Sequence, residues 1–98
     1  MILALFSYKT KPGERDDFIR AAQAIDLLGN TRREPGNITY EYYLPIEDPD
    51  VVLCLERWES AEAFAAHRGT DHVVKFQDVK AQFVTDVTPC IYDAVPRE

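Results

Sequence analysis

No stretch of this 98-residue chain approaches the roughly 20 consecutive apolar residues that a membrane-spanning helix needs, and the sequence excludes that class of protein. Basic residues are few and scattered, with 11 Lys and Arg against 17 Asp and Glu, for a net charge of −6. Nucleic-acid phosphates and anionic lipid surfaces are bound by clustered bases, so neither is an expected partner. The acidity instead favours solubility. Cysteine is scarce too. Cys54 and Cys90 have no paired spacing and no secretory context, which predicts two free thiols in a reducing cytosol. No Cys/His pair has the spacing of a metal site, and no glycine-rich loop follows a predicted strand to cradle the phosphates of a flavin or nicotinamide. The expectation is therefore a protein with no metal and no cofactor. Met1 to Tyr8 lacks the basic front and cleavage site of a signal peptide and is expected to be a first strand. Repeats, linkers and low-complexity segments are also missing. Residues 1–98 should form one domain, a chain of this length burying about 65% of its unfolded surface. A cytoplasmic location is expected.

What is present is a clear succession of elements. After the apolar run at 1–9, Pro12 suits the first turn of a helix, and Glu14, Asp16 and Asp17 put negative charge at its positive end. Phe18, Ala21, Ala22, Ile25 and Leu28 then recur at helical spacing, with Gly29-Asn30 ending or kinking the helix. Glu34-Pro35-Gly36-Asn37 is a firm stop. Along 38–44, Ile38, Tyr40, Tyr42 and Leu44 alternate with Thr39, Glu41 and Tyr43, and 51–59 forms the second arm of an antiparallel hairpin. On that arm Cys54, Glu56 and Trp58 share one face. Ser60 suits an N-cap for a short helix to about 68, and Thr70 or Asp71 begins another to about 82. On this last helix His72, Phe76, Val79 and Phe83 form one stripe. A strand at 84–95 contains Pro89, which removes a ladder donor and predicts an edge position or a bulge.

The order β-α-β-β-α-β, with its second helical region split, predicts an α+β ferredoxin-like sandwich with an antiparallel sheet of order 4-1-3-2. Several strands are apolar on both faces, yet the helices can cover only one. A homodimer packed sheet against sheet, the C-terminal strand completing the partner's edge, is therefore expected. In that order the first strand separates Cys54 from Cys90 by two strand spacings of about 4.8 Å each, beyond disulfide reach.

The chain resembles the antibiotic biosynthesis monooxygenase superfamily of small dimeric α+β barrel proteins over nearly its whole length. The matching pieces are Lys11-Pro12-Gly13, the segment from Thr31 to Asn37, Tyr40-Glu41-Tyr42-Tyr43, Glu56-Arg57-Trp58-Glu59-Ser60, Ala66-His67 and His72. The resemblance implies the barrel fold and one of several activities: cofactor-independent oxygenation of quinols or polyketide phenols, haem degradation, or isomerisation. The haem-degrading branch is similar only weakly. It uses an asparagine, a tryptophan and a histidine where this chain has Ser7, His67 and Gln77.

The candidate site follows from two histidines and a carboxylate. His67 lies three residues after Phe64 on the same side of a helix, and so faces inward. His72 opens the next helix, where the dipole disfavours its charged form and leaves an imidazole able to accept a proton. Glu56, between Cys54 and Trp58, is expected to pair with His67 or Arg32 or to hold a raised pKa. With His67 or His72 as base and Glu56 orienting it, Trp58, Tyr40, Tyr42, Phe64 and Phe76 would wall an apolar pocket. Such a pocket suits a small aromatic quinol or phenol that, once deprotonated, reduces dioxygen itself. A small-molecule isomerase and a non-catalytic metabolite-binding dimer use the same equipment.

Overall fold

A computed structural model of the chain describes residues 1–97. The elements are β1 (Ile2–Thr10), α1 (Arg15–Ala24), α2 (Leu27–Arg32), β2 (Asn37–Tyr43), β3 (Val51–Trp58), α3 (Ala61–His67), α4 (Asp71–Phe83) and β4 (Val84–Asp93). The sheet order is β2-β3-β1-β4, with every neighbouring pair antiparallel. This is the expected 4-1-3-2 order read from the other edge.

β3 shows why the sheet has one covered face. Val52, Cys54, Glu56 and Trp58 are all buried, while Leu53, Leu55 and Arg57 on the opposite face are only half-buried. The covered face packs on the helices through Tyr8, Phe18, Leu27, Tyr40 and Phe76, where Phe18 and Phe76 stack and Tyr8 meets both edge-on. The other face brings Leu3 and Leu5 of β1 beside Arg57 and Leu55 of β3, and beside Tyr92 and Cys90 of β4. β4 lies at the edge, as Pro89 requires, and all of it except Val84 is exposed. Cys54 and Cys90 are both free and lie on the two strands that flank β1, opposite Phe6 and Leu5 respectively.

Three local expectations are corrected. Helix α1 begins at Arg15 and not at Pro12, because Gly13 takes a left-handed φ of +77° and its N–H donates to the Asp50 carboxylate at 3.0 Å. The helical region breaks at Asp26, itself left-handed at φ 48°, while Gly29 sits inside α2, where a β-carbon would collide with the Asp26 carboxylate. The pairing of β2 with β3 slips between Asn37 and Thr39, so Ile38 is 46% exposed while Thr39 and Tyr40 are both buried. Leu44 lies beyond the strand and is exposed.

Candidate active site

The turn after α2 is tied to the junction between β3 and α3. The carbonyl of Gly36, a residue at φ +84°, accepts from the Glu59 N–H at 2.8 Å. A β-carbon on Gly36 would lie 2.6 Å from that of Ala63, so only glycine allows this turn to rest on α3. Ser60 caps α3 by accepting from the Ala63 N–H at 3.1 Å, which sets the start of the helix that carries His67 in its last turn. The same turn carries Glu34, and the short link from α3 to α4 brings His72 back beside His67. As a result Glu34 Oε2 meets both imidazoles, at 2.6 Å from His67 Nδ1 and 2.7 Å from His72 Nε2.

Proton positions follow from the partners. The Thr70 hydroxyl donates to the His67 carbonyl at 2.8 Å, so towards His72 Nε2, 3.1 Å away, it can only accept. A carboxylate also only accepts. His72 Nε2 therefore carries a proton shared between Glu34 and Thr70, and His67 Nδ1 donates to Glu34. In neutral His67 the free lone pair is then on Nε2, which points the other way and lies 3.9 Å from Glu56 Oε1.

Glu56 is only 3% exposed. The Trp58 indole N–H donates to its Oε1 at 3.1 Å, and the Cys54 thiol lies 3.9 Å from its Oε2. Burial outweighs these contacts and pushes its carboxyl up to about 7. Burial also lowers the pKa of His67, against the pull of Glu34. Near neutral pH a neutral imidazole thus faces a carboxyl group that still holds its proton much of the time. Of the two partners expected for Glu56, His67 is the neighbour; Arg32 instead donates to the Tyr40 carbonyl at 3.0 Å.

Both groups open on a cavity of about 260 Å³ with aromatic walls that include Phe6, Tyr8, Tyr40, Phe64 and Phe76. Burial keeps the Tyr8 and Tyr40 phenols neutral, so they remain potential donors. Not every expected wall is there. Trp58 is fully buried behind the site, with its ring 4.9 Å from that of His67. Tyr42 faces a different depression beside Leu28 and Arg32, and its hydroxyl is buried with no hydrogen-bond partner among the described residues. His72 lines a polar cleft with Thr70, Asp71 and Lys75 and not the cavity; it meets His67 ring to ring, centroids 5.9 Å apart, and through their shared Glu34. Of the positions compared with the haem-degrading pattern, Gln77 and His67 touch the cavity, but Ser7 pairs with Leu53 on the opposite sheet face.

Glu34 was the residue that spacing did not announce. It reads in sequence as part of a helix stop, 33 residues from His67 and 38 from His72. Together the three offer ligand atoms within 4.8 Å of one another, a metal-ligating set of types that no local spacing revealed. Their 2.6 and 2.7 Å contacts are hydrogen-bond lengths. Ligands around a tetrahedral ion at 2.0–2.1 Å sit roughly 3.3 Å apart, so an ion would require the trio to open. The arrangement present is a carboxylate that orients two rings.

Comparison with known proteins now decides the lineage. The antibiotic biosynthesis monooxygenase family model matches residues 1–79. The chain belongs to this family. It is 30% identical over 76 residues to YcnE of Bacillus subtilis strain 168, a provisionally named monooxygenase, covering 78% of each chain. Among solved structures, a provisionally named antibiotic biosynthesis monooxygenase from Nitrosomonas europaea superposes with a TM-score of 0.87 at 22% identity, over 98% of this chain and 100% of that one. Protein SO0527 from Shewanella oneidensis gives 0.83 at 27% identity, over 93% and 87%. The family and its ferredoxin-like fold agree with the resemblance seen in the sequence.

Proposed function

We propose that the protein is a cofactor-independent monooxygenase of a small aromatic quinol or phenol. The observation that carries this reading is the free Nε2 of His67 facing an aromatic cavity beside a carboxyl group poised near neutrality. His67 takes the proton of the substrate hydroxyl, and Glu34 steadies the imidazolium that forms. The electron-rich anion then passes electrons to dioxygen held against it, and a new carbon–oxygen bond gives a peroxide anion. Protonated Glu56 donates to the developing oxygen charge, and loss of water completes the reaction. For a hydroquinone the balance is hydroquinone plus dioxygen giving hydroxyquinone plus water, with all four electrons supplied by the substrate.

Oxygen uptake on a panel of hydroquinones and anthrones tests this reading. Expected is one dioxygen consumed per substrate, lost in His67→Ala. One specific observation favours a second reading: a neutral base and a protonated acid on the same cavity could move a proton along a carbonyl compound, as an isomerase does. Conversion of a substrate under strict anaerobiosis would replace the first reading with this one. Tight binding without conversion would leave a metabolite-binding dimer.

The same proposal includes a homodimer. The helix-free sheet face presents Leu3, Leu5, Leu53 and Leu55 in register, with Tyr92 and Cys90 beside them on β4. Leu53→Glu is expected to shift the protein to a monomer in sedimentation velocity, and a wild type that already sediments as a monomer would refute the dimer. No helix among the described residues is long and apolar enough to cross a membrane. Two unpaired cysteines suit a reducing compartment, and we assign the protein to the cytoplasm.

A further inference from the structure

Two cations border the cavity without a role in the chemistry above. The Arg68 guanidinium carbon lies 5.2 Å from the centre of the Phe64 ring, and the Lys80 ammonium lies 5.2 Å from the centre of the Phe76 ring. Both rings and both cations line the cavity. Among the described residues, neither cation is within salt-bridge distance of a carboxylate, although acids outnumber bases 17 to 11 in the chain. Three other bases form ion pairs, Lys9 with Asp48, Arg20 with Asp17 and Arg33 with Asp26.

An unpaired surface lysine is ordinary. Two unpaired cations seated over the aromatic walls of the same cavity are a different matter. Such a seat holds a flexible side chain in place while leaving the outward side of the charge free. Lys80 is half-buried, and burial lowers its pKa, so an anionic partner would restore what it loses. The fields of the two cations meet at the site: Arg68 favours the ionised form of Glu56, and Glu56 favours the charged form of Lys80. The chain as a whole, at −6, repels anions, so an anion can be recruited only by a local positive edge acting within a Debye length of about 8 Å.

We propose that Arg68 and Lys80 are an anion-recognition rim, and that the ligand is an aromatic acid whose carboxylate sits between them while its ring hydroxyl reaches His67. The cavity is near the lower end of the roughly 300–1,000 Å³ range of small-molecule sites, which suits one or two fused rings. The placement of the hydroxyl rests on the oxygenase reading; the recognition of the carboxylate does not.

The test compares 2,5-dihydroxybenzoate with hydroquinone, which differs by the carboxylate alone, using anaerobic calorimetric titration of the full-length protein at low salt. The acid is expected to bind about tenfold tighter, and that ratio should fall as ionic strength rises. In Arg68→Gln/Lys80→Gln the ratio should collapse to about twofold or less, and in Lys80→Glu it should invert, with circular dichroism confirming the fold of each variant. Equal affinities in the wild type, no measurable binding of either compound, or a preference that survives the double substitution would each overturn the rim. Oxygen uptake separates this idea from the one before it. Charge-dependent binding of the acid without oxygen consumption keeps the rim and ends the oxygenase reading. Equal kcat/KM on acid and neutral quinols keeps the oxygenase and ends the rim.

Discussion

The His67 ring separates two regions of opposite character, each with its own glutamate. On the polar side, Glu34 accepts from both imidazoles, at 2.6 and 2.7 Å. On the aromatic side, Glu56 has one N–H donor, from Trp58, and the His67 ring at 3.9 Å, and burial holds its carboxyl up at about 7. The residue type is the same and the chemistry is not. A carboxylate that accepts two N–H donors fixes a ring and its tautomer, whereas one starved of donors keeps a proton it can give away. In the proposed reaction these environments suit Glu34 to orienting the ring and Glu56 to acting as the acid.

The sharpest way to break this contrast is at the ring itself. His67→Ala removes the only imidazole nitrogen that faces the cavity, and a loss of about 10³-fold in kcat is expected on any accepted quinol, in keeping with general-base catalysis. Unchanged turnover would remove His67 from the chemistry. Next comes Glu34→Gln. The amide oxygen can still accept from both rings, as Glu34 Oε2 does, but it is neutral and leaves the His67 imidazolium without its counter-charge. The pKa of His67 is expected to fall further, with kcat falling about 10²-fold and KM little altered. Nitrogen chemical shifts of His67 followed against pH would report the change directly, and a variant that keeps the wild-type titration and full activity would show that Glu34 does not support the ring.

The fold was largely legible because its signals are local. Pro89 marked β4 as an edge, Ser60 marked the start of α3, and the alternation of Cys54, Glu56 and Trp58 put all three on the covered face. Errors fell where a tertiary contact overrides the local pattern. Ile38 was thrown outward by a register slip, and the helical break fell at left-handed Asp26, leaving Gly29 inside α2 and not at a helix end. The site was half legible for the same reason. His67 and Glu56 sit on elements whose faces can be read from periodicity, and both reach the cavity. Tyr42 follows the same alternation as Tyr40 yet faces a different depression. Glu34 lies in a turn, where no period exists, and its partners are more than 30 residues away.

A smaller effect sharpens the contrast through stability. An unfolded glutamate ionises near 4.3, whereas folded Glu56 keeps its proton up to about 7. Between those values the unfolded chain has released a proton that the folded chain retains, so rising pH favours unfolding across this window, and the loss is complete above it. Glu56→Gln, which can still accept from Trp58, is expected to exceed the wild type by on the order of 2 kcal/mol at pH 8 and to match it near pH 4. Urea unfolding at the two pH values measures the difference. In the kinetics, the fall in kcat above pH 7 should vanish in the same variant. A stability difference that does not change with pH would mean that Glu56 ionises normally in the folded protein.

The smallest expected effect is at His72, and it is the one that tells a second base from a support. His72 donates to Glu34 from the polar cleft and has no access to the cavity. His72→Ala therefore leaves His67 with its carboxylate but frees that carboxylate to move, and a loss of about tenfold in kcat is expected. His72→Gln, which restores an N–H donor without a titratable ring, should recover most of it and leave the acidic limb of the pH profile where it was. If His72→Gln instead matches His67→Ala in severity and abolishes that limb, the proton is taken on the cleft side, and the base lies on the other side of the ring from the cavity.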